Sequence, residues 1–387
     1  MPPNVHAFET LWLGFGFVLF LFRRKSYMKK LEETKKEREK AFLVGVIKSN
    51  KQDVEAELAE LARLVETAGA DVVGETYQLI REVTPATLIG SGKVEEIKEI
   101  ITELGANLVV VDANLSGSQQ NNLSNIFECK VIDRMGLILD IFATRATSQE
   151  GKMQVELAQL KYSLPRLSAL SGTSARFGSG GVGTRGPGET KLELGRRRVS
   201  ERIIMFEKEI EKLKSQRELK RQNRYNSNKK QVAIVGYTNA GKSTLLNLIS
   251  KAGIYADDKL FATLDTTSRN VFLTPEVQII LTDTVGFISK LPHELVDAFA
   301  STLEEAQNAD LLLHVVDVSN KDHKLQIETV NDTLKKIGAS DIPQIVVYNK
   351  CDNLKTPMEI KENEVLISAK KNTGIDKLKS LIVEKLS

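Results

Sequence analysis

The chain has few cysteines, and that scarcity excludes two classes of protein. Two cysteines in 387 residues, Cys129 and Cys351, cannot form the disulfide framework of a small secreted domain. Neither has a cysteine or histidine neighbour at metal-ligand spacing, so no zinc site is predicted. Reduced thiols in a cytoplasmic protein are the simplest interpretation.

A long hydrophobic segment is also missing. The apolar run Leu11–Phe22, which is followed by Arg23, Arg24 and Lys25, is shorter than the roughly 20 apolar residues that span a bilayer. It does not resemble a signal peptide, because the basic residues follow the run and no small-residue cleavage site is visible. It is either a weak peripheral membrane anchor or the product of a mis-assigned start, with Met28 as the true first residue. The second interpretation is favoured.

Positive charge is concentrated in one short segment. Residues 1–190 carry 23 basic and 24 acidic side chains, residues 191–230 carry 14 and 6, and residues 231–387 carry 17 and 21. The overall net charge of +3 therefore conceals a net charge of +8 in residues 191–230. Such a concentration indicates either an anionic partner or the solvated face of a charged helix.

The hydrophobic pattern divides the chain into four parts. Residues 1–40 are an apolar and charged extension, and residues 41–149 alternate strand-like and helix-like segments, as an α/β domain with a mostly parallel sheet does. Residues 150–229 are predicted as a helical hairpin, and residues 230–387 as a further α/β domain with a doubly wound, mostly parallel sheet. In the second part we expect strands at 41–47, 76–83, 108–111 and 130–132, and helices at 53–68, 94–104 and 118–127.

Apolar residues recur at steps of three and four along both hairpin helices, as they do along a coiled-coil seam. The predicted seam residues are Met153, Leu157, Leu160, Leu164, Val199, Ile203, Phe206, Ile210 and Leu213. The pattern predicts two antiparallel helices joined by a loop at residues 171–188 and followed by a polar linker at residues 221–230. Six of the eleven residues 178–188 are glycine, so we expect a mobile tip that carries Arg176 and Arg185.

A phosphate-binding loop is predicted at Gly236–Ser243, with the sequence Gly-Tyr-Thr-Asn-Ala-Gly-Lys-Ser. The apolar strand Val232–Val235 precedes it and the apolar helix Thr244–Ile249 follows it, which is the context that a P-loop requires. The backbone amides and the helix dipole cradle phosphates. Lys242 is expected to reach the β- and γ-phosphate oxygens, and Ser243 to bind Mg²⁺.

The Mg²⁺ and γ-phosphate side of the site is predicted from two further segments. The strand Ile279–Leu281 leads into Asp283–Gly286, which supplies an acid for the Mg²⁺ shell and a glycine amide that senses the γ-phosphate. Phe261–Arg269 is the switch I candidate, which needs a threonine that closes over Mg²⁺. Three threonines compete for that role on chemistry alone: Thr263, Thr266 and Thr267.

Two motifs predict guanine as the base. The strand Ile345–Tyr348 ends in Asn-Lys-Cys-Asp at Asn349–Asp352, and an aspartate there accepts hydrogen bonds from the guanine N1–H and exocyclic amine. Adenine presents no such pair of donors. The strand Val365–Ile367 leads into Ser368–Lys370, the usual loop over the guanine oxygen. Each motif lies at a strand end, where open α/β sheets bind ligands.

From about Phe42 to Ser387 the sequence resembles the HflX family of translation-associated GTPases. The likeness is carried by Gly236–Ser243, Phe261–Asp265, Asp283–Phe287 and, in the hairpin loop, Gly183–Thr190. The resemblance implies that Thr263 is the Mg²⁺-binding threonine. It also implies binding to the large ribosomal subunit near its catalytic centre and, in several members, splitting of stalled ribosomes. The family commonly has Asp-Pro-Thr where this chain has Asp-Thr-Thr at residues 265–267, so the proline that would stiffen switch I is absent.

We therefore predict a cytoplasmic, monomeric, Mg²⁺-dependent GTPase that binds GTP and GDP and associates with the RNA of the large ribosomal subunit, in translation, ribosome rescue or ribosome biogenesis. The alternative is a membrane-linked regulatory GTPase that is anchored through residues 11–25 and acts on a protein partner.

The predicted catalytic residues are Lys242, Thr263 and Gly286, and the predicted metal ligands are Ser243 and Thr263. The predicted nucleotide-binding residues are Gly236, Tyr237, Thr238, Asn239, Ala240, Gly241, Lys242, Ser243, Phe261, Ala262, Thr263, Leu264, Asp265, Asp283, Thr284, Val285, Gly286, Asn349, Lys350, Cys351, Asp352, Ser368, Ala369 and Lys370. The candidate RNA contacts are Arg185, Arg196, Arg197 and Arg198.

Hydrolysis by the isolated protein is expected to be slow. In many GTPases a glutamine directly after the Asp-x-x-Gly motif orients the attacking water. Phe287 occupies that position here and has neither a donor nor an acceptor. The variable P-loop positions, residues 237–239, supply no arginine either. The alternative is that Asn239 or a switch I side chain positions the water.

Overall fold

The computed structural model describes residues 38–48, 53–177, 191–225, 229–250, 260–261, 263–290, 300–354 and 358–386. The apolar N-terminal run, Ala262 and the glycine-rich tip with Arg185 lie outside these ranges. Lys40–Ser387 forms one compact unit. Within the described ranges, no helix has the length and apolar character needed to cross a membrane.

The first part of the unit is a four-stranded parallel sheet in the order β2-β1-β3-β4. Its strands are β1 (Lys40–Ile47), β2 (Asp71–Leu79), β3 (Leu108–Val111) and β4 (Lys130–Asp133). Its helices are α1 (Val54–Ala68), α2 (Ser91–Leu104), α3 (Gly117–Phe127) and α4 (Arg134–Arg145). β1 is buried from Ala41 onwards because helices cover both faces of the sheet. Asp53 caps α1 by accepting a hydrogen bond from the backbone N–H of Ala56.

The sequence analysis was wrong about two elements in this part. The strand expected at 76–83 is Asp71–Leu79, because it pairs along the whole length of β1 and its start is set by that pairing. Helix α4 was not expected at all. It begins directly after β4, where the Asp133 carboxylate accepts from the N–H of Gly136, and eight of its twelve residues are buried.

Two long helices, α5 (Gln149–Phe177) and α6 (Lys191–Tyr225), form the predicted hairpin, which we call the helical arm. Ion pairs join the start of α5 to the end of α6, Glu150 to Arg217, and the middle of each helix, Lys161 to Glu207, so the helices are antiparallel. The loop expected from residue 171 and the linker expected from residue 221 both begin later. Residues 171–177 contain a single glycine and residues 221–225 none, so the helices continue.

The last part is a six-stranded sheet in the order β10-β9-β8-β5-β7-β6, parallel except for the β6–β7 pair. Its strands are β5 (Lys230–Gly236), β6 (Thr267–Phe272), β7 (Gln278–Asp283), β8 (Leu311–Asp317), β9 (Gln344–Asn349) and β10 (Glu364–Leu366). Its helices are α7 (Lys242–Ser250), α8 (Ala300–Gln307), α9 (His323–Lys336) and α10 (Ile375–Leu386). This confirms the predicted fold class.

One hydrophobic cluster continues from the first sheet into the second. It contains Leu61 and Phe142 from the N-terminal α/β part together with Phe261 and Phe287 from the GTPase part. The rings of Phe142 and Phe261 meet edge to face, with centroids 4.7 Å apart. The two parts therefore share a packed core at the side of the nucleotide-binding loops.

Candidate functional site

Lys242 is the central cation of the candidate nucleotide site. The side chain is buried, and its Nζ donates to the carbonyl oxygens of Tyr237, at 2.9 Å, and Gly236, at 3.2 Å. Burial lowers the pKa of Lys242 to about 8, although the charge of Asp283 acts in the opposite direction. Neutral carbonyls only partly compensate a buried ammonium, so this position is well suited to an anion.

The P-loop opens onto a cavity of about 570 Å³, which is within the usual range for a small-molecule site. Most of the predicted nucleotide-binding residues line this cavity: Thr238, Asn239, Gly241, Lys242, Ser243, Phe261, Thr263, Thr284, Gly286, Asn349, Lys350, Asp352, Ser368, Ala369 and Lys370. Thr244 and Asn353 line it as well and were not predicted. The remaining described residues of the prediction lie in the same loops but not at the cavity wall: Gly236, Tyr237, Ala240, Leu264, Asp265, Asp283, Val285 and Cys351.

Three oxygen atoms converge beside Lys242. Ser243 Oγ lies 2.7 Å from Thr263 Oγ1 and donates to Asp283 Oδ2 at 2.7 Å, and Thr263 Oγ1 donates to the same oxygen at 3.0 Å. Burial raises the pKa of Asp283, although Lys242 and these hydrogen bonds oppose the rise. Oδ1 of Asp283 is buried without a partner among the described residues. Hydroxyl and carboxylate oxygens are the donors that Mg²⁺ prefers, so this cluster fits the ion.

Of the three threonines that competed for the switch I role, Thr263 is the one at this oxygen cluster. Thr267 instead begins β6, where it pairs with Asp283 in the antiparallel ladder.

The opposite end of the cavity has an oriented carboxylate. Ser368 Oγ donates to Asp352 Oδ1 at 2.6 Å, and this hydrogen bond is the main reason why the pKa of Asp352 is lowered. Asn349 fixes the loop, since its Nδ2 donates to the carbonyl of Ala240 at 2.9 Å and its Oδ1 accepts from the N–H of Ala369 at 3.0 Å. The base-reading loops and the P-loop are therefore one hydrogen-bonded assembly.

Phe287 is a packing residue in the described structure. Its side chain is 1% exposed and does not reach the cavity wall. Its backbone pairs with the P-loop, because its N–H donates to the carbonyl of Gly236 at 3.1 Å and its carbonyl accepts from Thr238 N–H at 2.8 Å. The residue after Asp283–Gly286 is thus hydrogen-bonded to the P-loop through its backbone, but it has no polar side chain.

Comparison with known proteins shows the family of the chain. Three family models match successive parts of the chain: "GTP-binding GTPase N-terminal" at residues 55–143, "GTP-binding GTPase Middle Region" at 145–224 and "50S ribosome-binding GTPase" at 231–350. The GTPase HflX of Caldanaerobacter subterraneus subsp. tengcongensis is 50% identical over 92% of this chain and 82% of its own length. The GTPase HflX of Escherichia coli is 44% identical over 90% and 83%. The chain belongs to the HflX family of GTPases.

Membership of the HflX family confirms the predicted resemblance and the predicted activity: the chain binds GTP and is a GTPase. A GTP-binding protein from the archaeon Sulfolobus solfataricus, solved in complex with GDP, is 26% identical over 90% of this chain and 100% of its own length. Its TM-score of 0.47 is too low to support an argument about the site.

The side chain of Tyr237 shows a role that the HflX motif does not reveal. It points out of the P-loop, and its hydroxyl hydrogen-bonds to the Glu60 carboxylate of α1 and accepts from Ser289 N–H at 2.7 Å. Burial, and then the neighbouring Glu60, raises the pKa of Tyr237. Sequence reasoning missed this contact because Glu60 lies 177 residues away. The signal in the sequence was that Glu60 lies next to the buried apolar residue Leu61 of α1, where a carboxylate needs a partner.

Three of the four candidate RNA-binding arginines of this HflX chain lie on the outer surface of the helical arm, and the fourth, Arg185, lies outside the described residues. Arg196, Arg197 and Arg198 are exposed on α6, and Arg197 pairs with Glu201 one turn later at 3.0 Å. The predicted seam residue Phe206 is 6% exposed and faces inward. The basic residues are thus directed to solvent, which agrees with either of the two interpretations of the charge cluster.

Proposed function

We propose that this GTPase is a Mg²⁺-dependent switch that associates with the RNA of the large ribosomal subunit through its helical arm. The observation that carries the nucleotide part is a single cavity that is lined by Asp352 and also by Ser243 and Thr263, whose hydroxyl groups contact the Asp283 carboxylate behind the wall. The ribosomal part rests on the match of residues 231–350 to a family described as 50S ribosome-binding GTPases and on the exposed basic surface of α6.

In this proposal each group of residues has a defined task. Ser243 and Thr263 hold Mg²⁺, with Asp283 behind them, and the ion when bound neutralises charge on the β- and γ-phosphates. Lys242 binds the same phosphates from the P-loop side. Gly286 approaches closely, since a Cβ there would lie 2.9 Å from Lys242 Nζ, so only glycine leaves its N–H free to meet the γ-phosphate.

The base-reading part is tested with Asp352→Asn. The amide replaces one acceptor oxygen with a donor, so the two guanine hydrogen bonds cannot both form. We expect GTP affinity to fall about 100-fold or more, because bonds to a charged group contribute about 1.5–3 kcal/mol each. Affinity for xanthosine triphosphate, which offers the complementary pattern, is expected to rise. Full GTP affinity in the variant would refute the assignment of Asp352.

The ribosomal part is tested by co-sedimentation with isolated subunits under a GTP analogue, GDP or no nucleotide. Replacing Arg196, Arg197 and Arg198 with alanine is expected to weaken binding and to flatten its salt dependence by about one to three log units per log unit of salt. The matched control removes three exposed lysines from the GTPase part: Lys335, Lys336 and Lys385. Equal salt slopes for the arginine variant and the parent would leave the charge cluster as a solvated helix face.

The role in translation is separated by incubating the protein and GTP with intact ribosomes and resolving the particles on a gradient. Release of free subunits supports splitting or rescue of ribosomes. Stable binding to the free large subunit without release supports a role in its biogenesis.

Slow intrinsic hydrolysis is part of the same proposal, because the buried Phe287 side chain cannot orient water. A GTPase that has the glutamine still hydrolyses GTP at only about 10⁻⁴–10⁻³ s⁻¹ when alone. We expect large subunits to accelerate single-turnover hydrolysis at least about 100-fold, which corresponds to roughly 2.7 kcal/mol. A rate above about one per second that subunits leave unchanged would refute both the slow switch and the ribosomal partner.

A further inference from the structure

Asp265, at the end of the switch I segment, forms an unusual set of contacts with the helical arm. Its Oδ2 accepts from the backbone N–H of Thr147 at 2.9 Å, from the Thr147 hydroxyl at 2.5 Å and from the N–H of Ser148 at 2.8 Å. Its Oδ1 accepts from the Ser148 hydroxyl at 2.5 Å. One carboxylate from the GTPase part therefore binds four donors that lie 117 or 118 residues earlier in the chain.

Those donors are at the beginning of α5. Ser148 immediately precedes the helix and acts as its N-cap, because its Oγ accepts from the N–H of Gly151 at 2.9 Å. A helix N-terminus carries partial positive charge and unpaired N–H groups, and both favour a carboxylate. Asp265 thus completes the cap of the arm from outside, with charge-assisted hydrogen bonds.

The described residues of switch I contact three different parts of the molecule. Phe261 and Leu264 are buried in the cluster shared with the N-terminal part, and Phe261 packs on Phe142. Asp265 faces the arm, while Thr263 faces the oxygen cluster beside Ser243. Since only Leu264 separates Thr263 from Asp265, we infer that movement of the threonine away from the oxygen cluster pulls on Asp265.

We propose that Asp265 is a positioning residue that couples closure of switch I over the triphosphate to capping of the helical arm. This rests on the proposed function only in the role of Thr263. When Thr263 closes on the nucleotide-bound ion, Asp265 is held against α5. When switch I opens, the arm loses its external cap. Linkage is reciprocal, so a partner that favours the capped arm also favours the triphosphate state.

The first test compares affinities for a non-hydrolysable GTP analogue and for GDP, both with Mg²⁺. Asp265→Ala is expected to reduce the preference for the analogue at least about fivefold, the lower end of typical coupling between sites. The loss is expected to fall on the analogue, since the Asp265 side chain does not line the cavity. The matched control is Asp53→Ala, which removes the N-cap of α1, a cap of the same chemistry away from switch I, and should leave the preference unchanged. An unchanged preference in Asp265→Ala would overturn the proposal.

A second variant tests the same contact from the side of the arm. A Cβ at Gly151 would overlap Oδ1 of Asp265, so Gly151→Ala displaces the carboxylate while Asp265 keeps its charge. Alanine favours the helix more than glycine does, so loss of α5 itself cannot explain the result. We expect the same reduction in preference as for Asp265→Ala. A Gly151→Ala protein that discriminates between the nucleotides as well as the parent would overturn the proposal.

Amide hydrogen exchange separates coupling from a merely structural cap. In the parent, the amides of Thr147 and Ser148 should exchange more slowly with the GTP analogue than with GDP, and Asp265→Ala should abolish that difference. Equal exchange in both states of the parent would overturn the coupling. Thr263→Ala distinguishes the two levels of inference. If it abolishes the preference while Asp265→Ala does not, only the coupling is wrong, whereas a retained preference in Thr263→Ala refutes the role of Thr263 and the coupling with it.

Discussion

The strand ends of the N-terminal sheet and of the GTPase sheet have different partners. In the GTPase sheet, the strand ends surround a cavity of about 570 Å³, into which Lys242 points. In the N-terminal sheet, Asp112 follows β3 and Asp133 ends β4, and both carboxylates are buried. Side chains of the protein occupy this second edge: Arg134 donates to Asp112 at 2.8 Å, and Arg166 donates to Asp133 at 2.9 Å.

The difference shows how one architectural rule serves two purposes. Parallel strands gather polar groups at their carboxyl ends, and buried polar groups need partners. The GTPase sheet obtains its partner from a bound nucleotide. The N-terminal sheet obtains its partners from the chain, including Lys290 of the GTPase part, whose Nζ lies 2.8 Å from Asp112 Oδ2. We therefore interpret the strand ends of the GTPase sheet as a site for an exchangeable ligand. The strand ends of the N-terminal sheet instead attach the GTPase part through Lys290.

The largest loss of folding free energy is expected at the strand ends of the N-terminal sheet, where side chains of the protein pair with the buried carboxylates. Arg134→Met leaves the buried carboxylates of Glu60 and Asp112 without their main counter-charge, which typically costs about 3–5 kcal/mol of folding free energy. Urea denaturation of the nucleotide-free protein measures the loss. The control is Arg198→Met on the exposed face of α6, which should change stability by less than about 0.5 kcal/mol. A loss of similar size in both variants would show that the edge is not held by this network.

Replacement of the buried cation of the GTPase site, Lys242, should affect nucleotide affinity and not the stability of the nucleotide-free protein. Lys242→Met is expected to reduce nucleotide affinity about 100-fold or more, because charge-assisted bonds to the phosphates are lost. The nucleotide-free protein should be as stable as the parent or more stable, since burial disfavours the charged form of Lys242. Binding of a fluorescent GDP analogue and urea denaturation measure the two quantities. A loss of stability as large as that of Arg134→Met would remove the contrast between the edges.

The sequence predicted the residues at the strand ends of the GTPase sheet, but it did not predict the contacts between the N-terminal part and the GTPase part. The P-loop, Asp283, Asp352 and Ser368 were predicted because each motif is contiguous and its backbone geometry is local. The contact between Asp265 and Thr147 joins residues 118 positions apart, and such pairings depend on how the parts pack. Helix α4 was missed because a short, largely apolar segment such as Met135–Phe142 does not by itself distinguish a buried helix from a buried strand.

A buried histidine makes the GTPase sheet sensitive to acid. His314 lies within β8 at 1% exposure, and burial, together with the charge of Lys242, lowers its pKa to about 4. The histidine of the unfolded chain takes up a proton near pH 6.5. Between pH 6.5 and 4 the unfolded state therefore binds more protons than the folded state, and the free energy of unfolding decreases as the pH is lowered. Relative to the parent, His314→Gln should lose about 2 kcal/mol less between pH 7.5 and pH 5. Parallel pH profiles of denaturation for both proteins would contradict this.

The N-terminal edge should resist the same acidification. Burial raises the pKa of Asp112, but the charges of Arg134 and Lys290 outweigh burial and hold it below its ordinary value. A depressed carboxyl pKa contributes stability that persists above the unfolded value and is lost only as pH falls through the folded one. At pH 5 we therefore expect hydrogen exchange to accelerate in β8 before β3. The reverse order would contradict the assignment of the acid-sensitive group.

The smallest loss of folding free energy is expected from Lys290, a residue of the GTPase part that forms ion pairs with the N-terminal part. Lys290 contacts Asp112 at 2.8 Å and Glu57 at 3.0 Å, but its side chain is 34% exposed, and Arg134 still neutralises Asp112 when the lysine is removed. Lys290→Met keeps the alkyl packing and should cost about 1 kcal/mol or less. The loss should shrink in 1 M salt, where the screening length is about 3 Å. Denaturation at low and high salt measures both quantities.

The control for this variant is Lys93→Met, which removes an ion pair with Glu96 at 2.6 Å within α2 and should have a similarly small, salt-sensitive effect. The informative combination is Lys290→Met with Arg134→Met. Because both cations share Asp112, their effects should not add, and the second substitution should cost more in the absence of the first cation. If Lys290→Met alone cost as much as Arg134→Met, the GTPase part would supply the main counter-charge of the N-terminal edge. The two sheets would then differ in which part of the chain neutralises their strand ends, and the stability of the N-terminal sheet would depend on the position of Lys290.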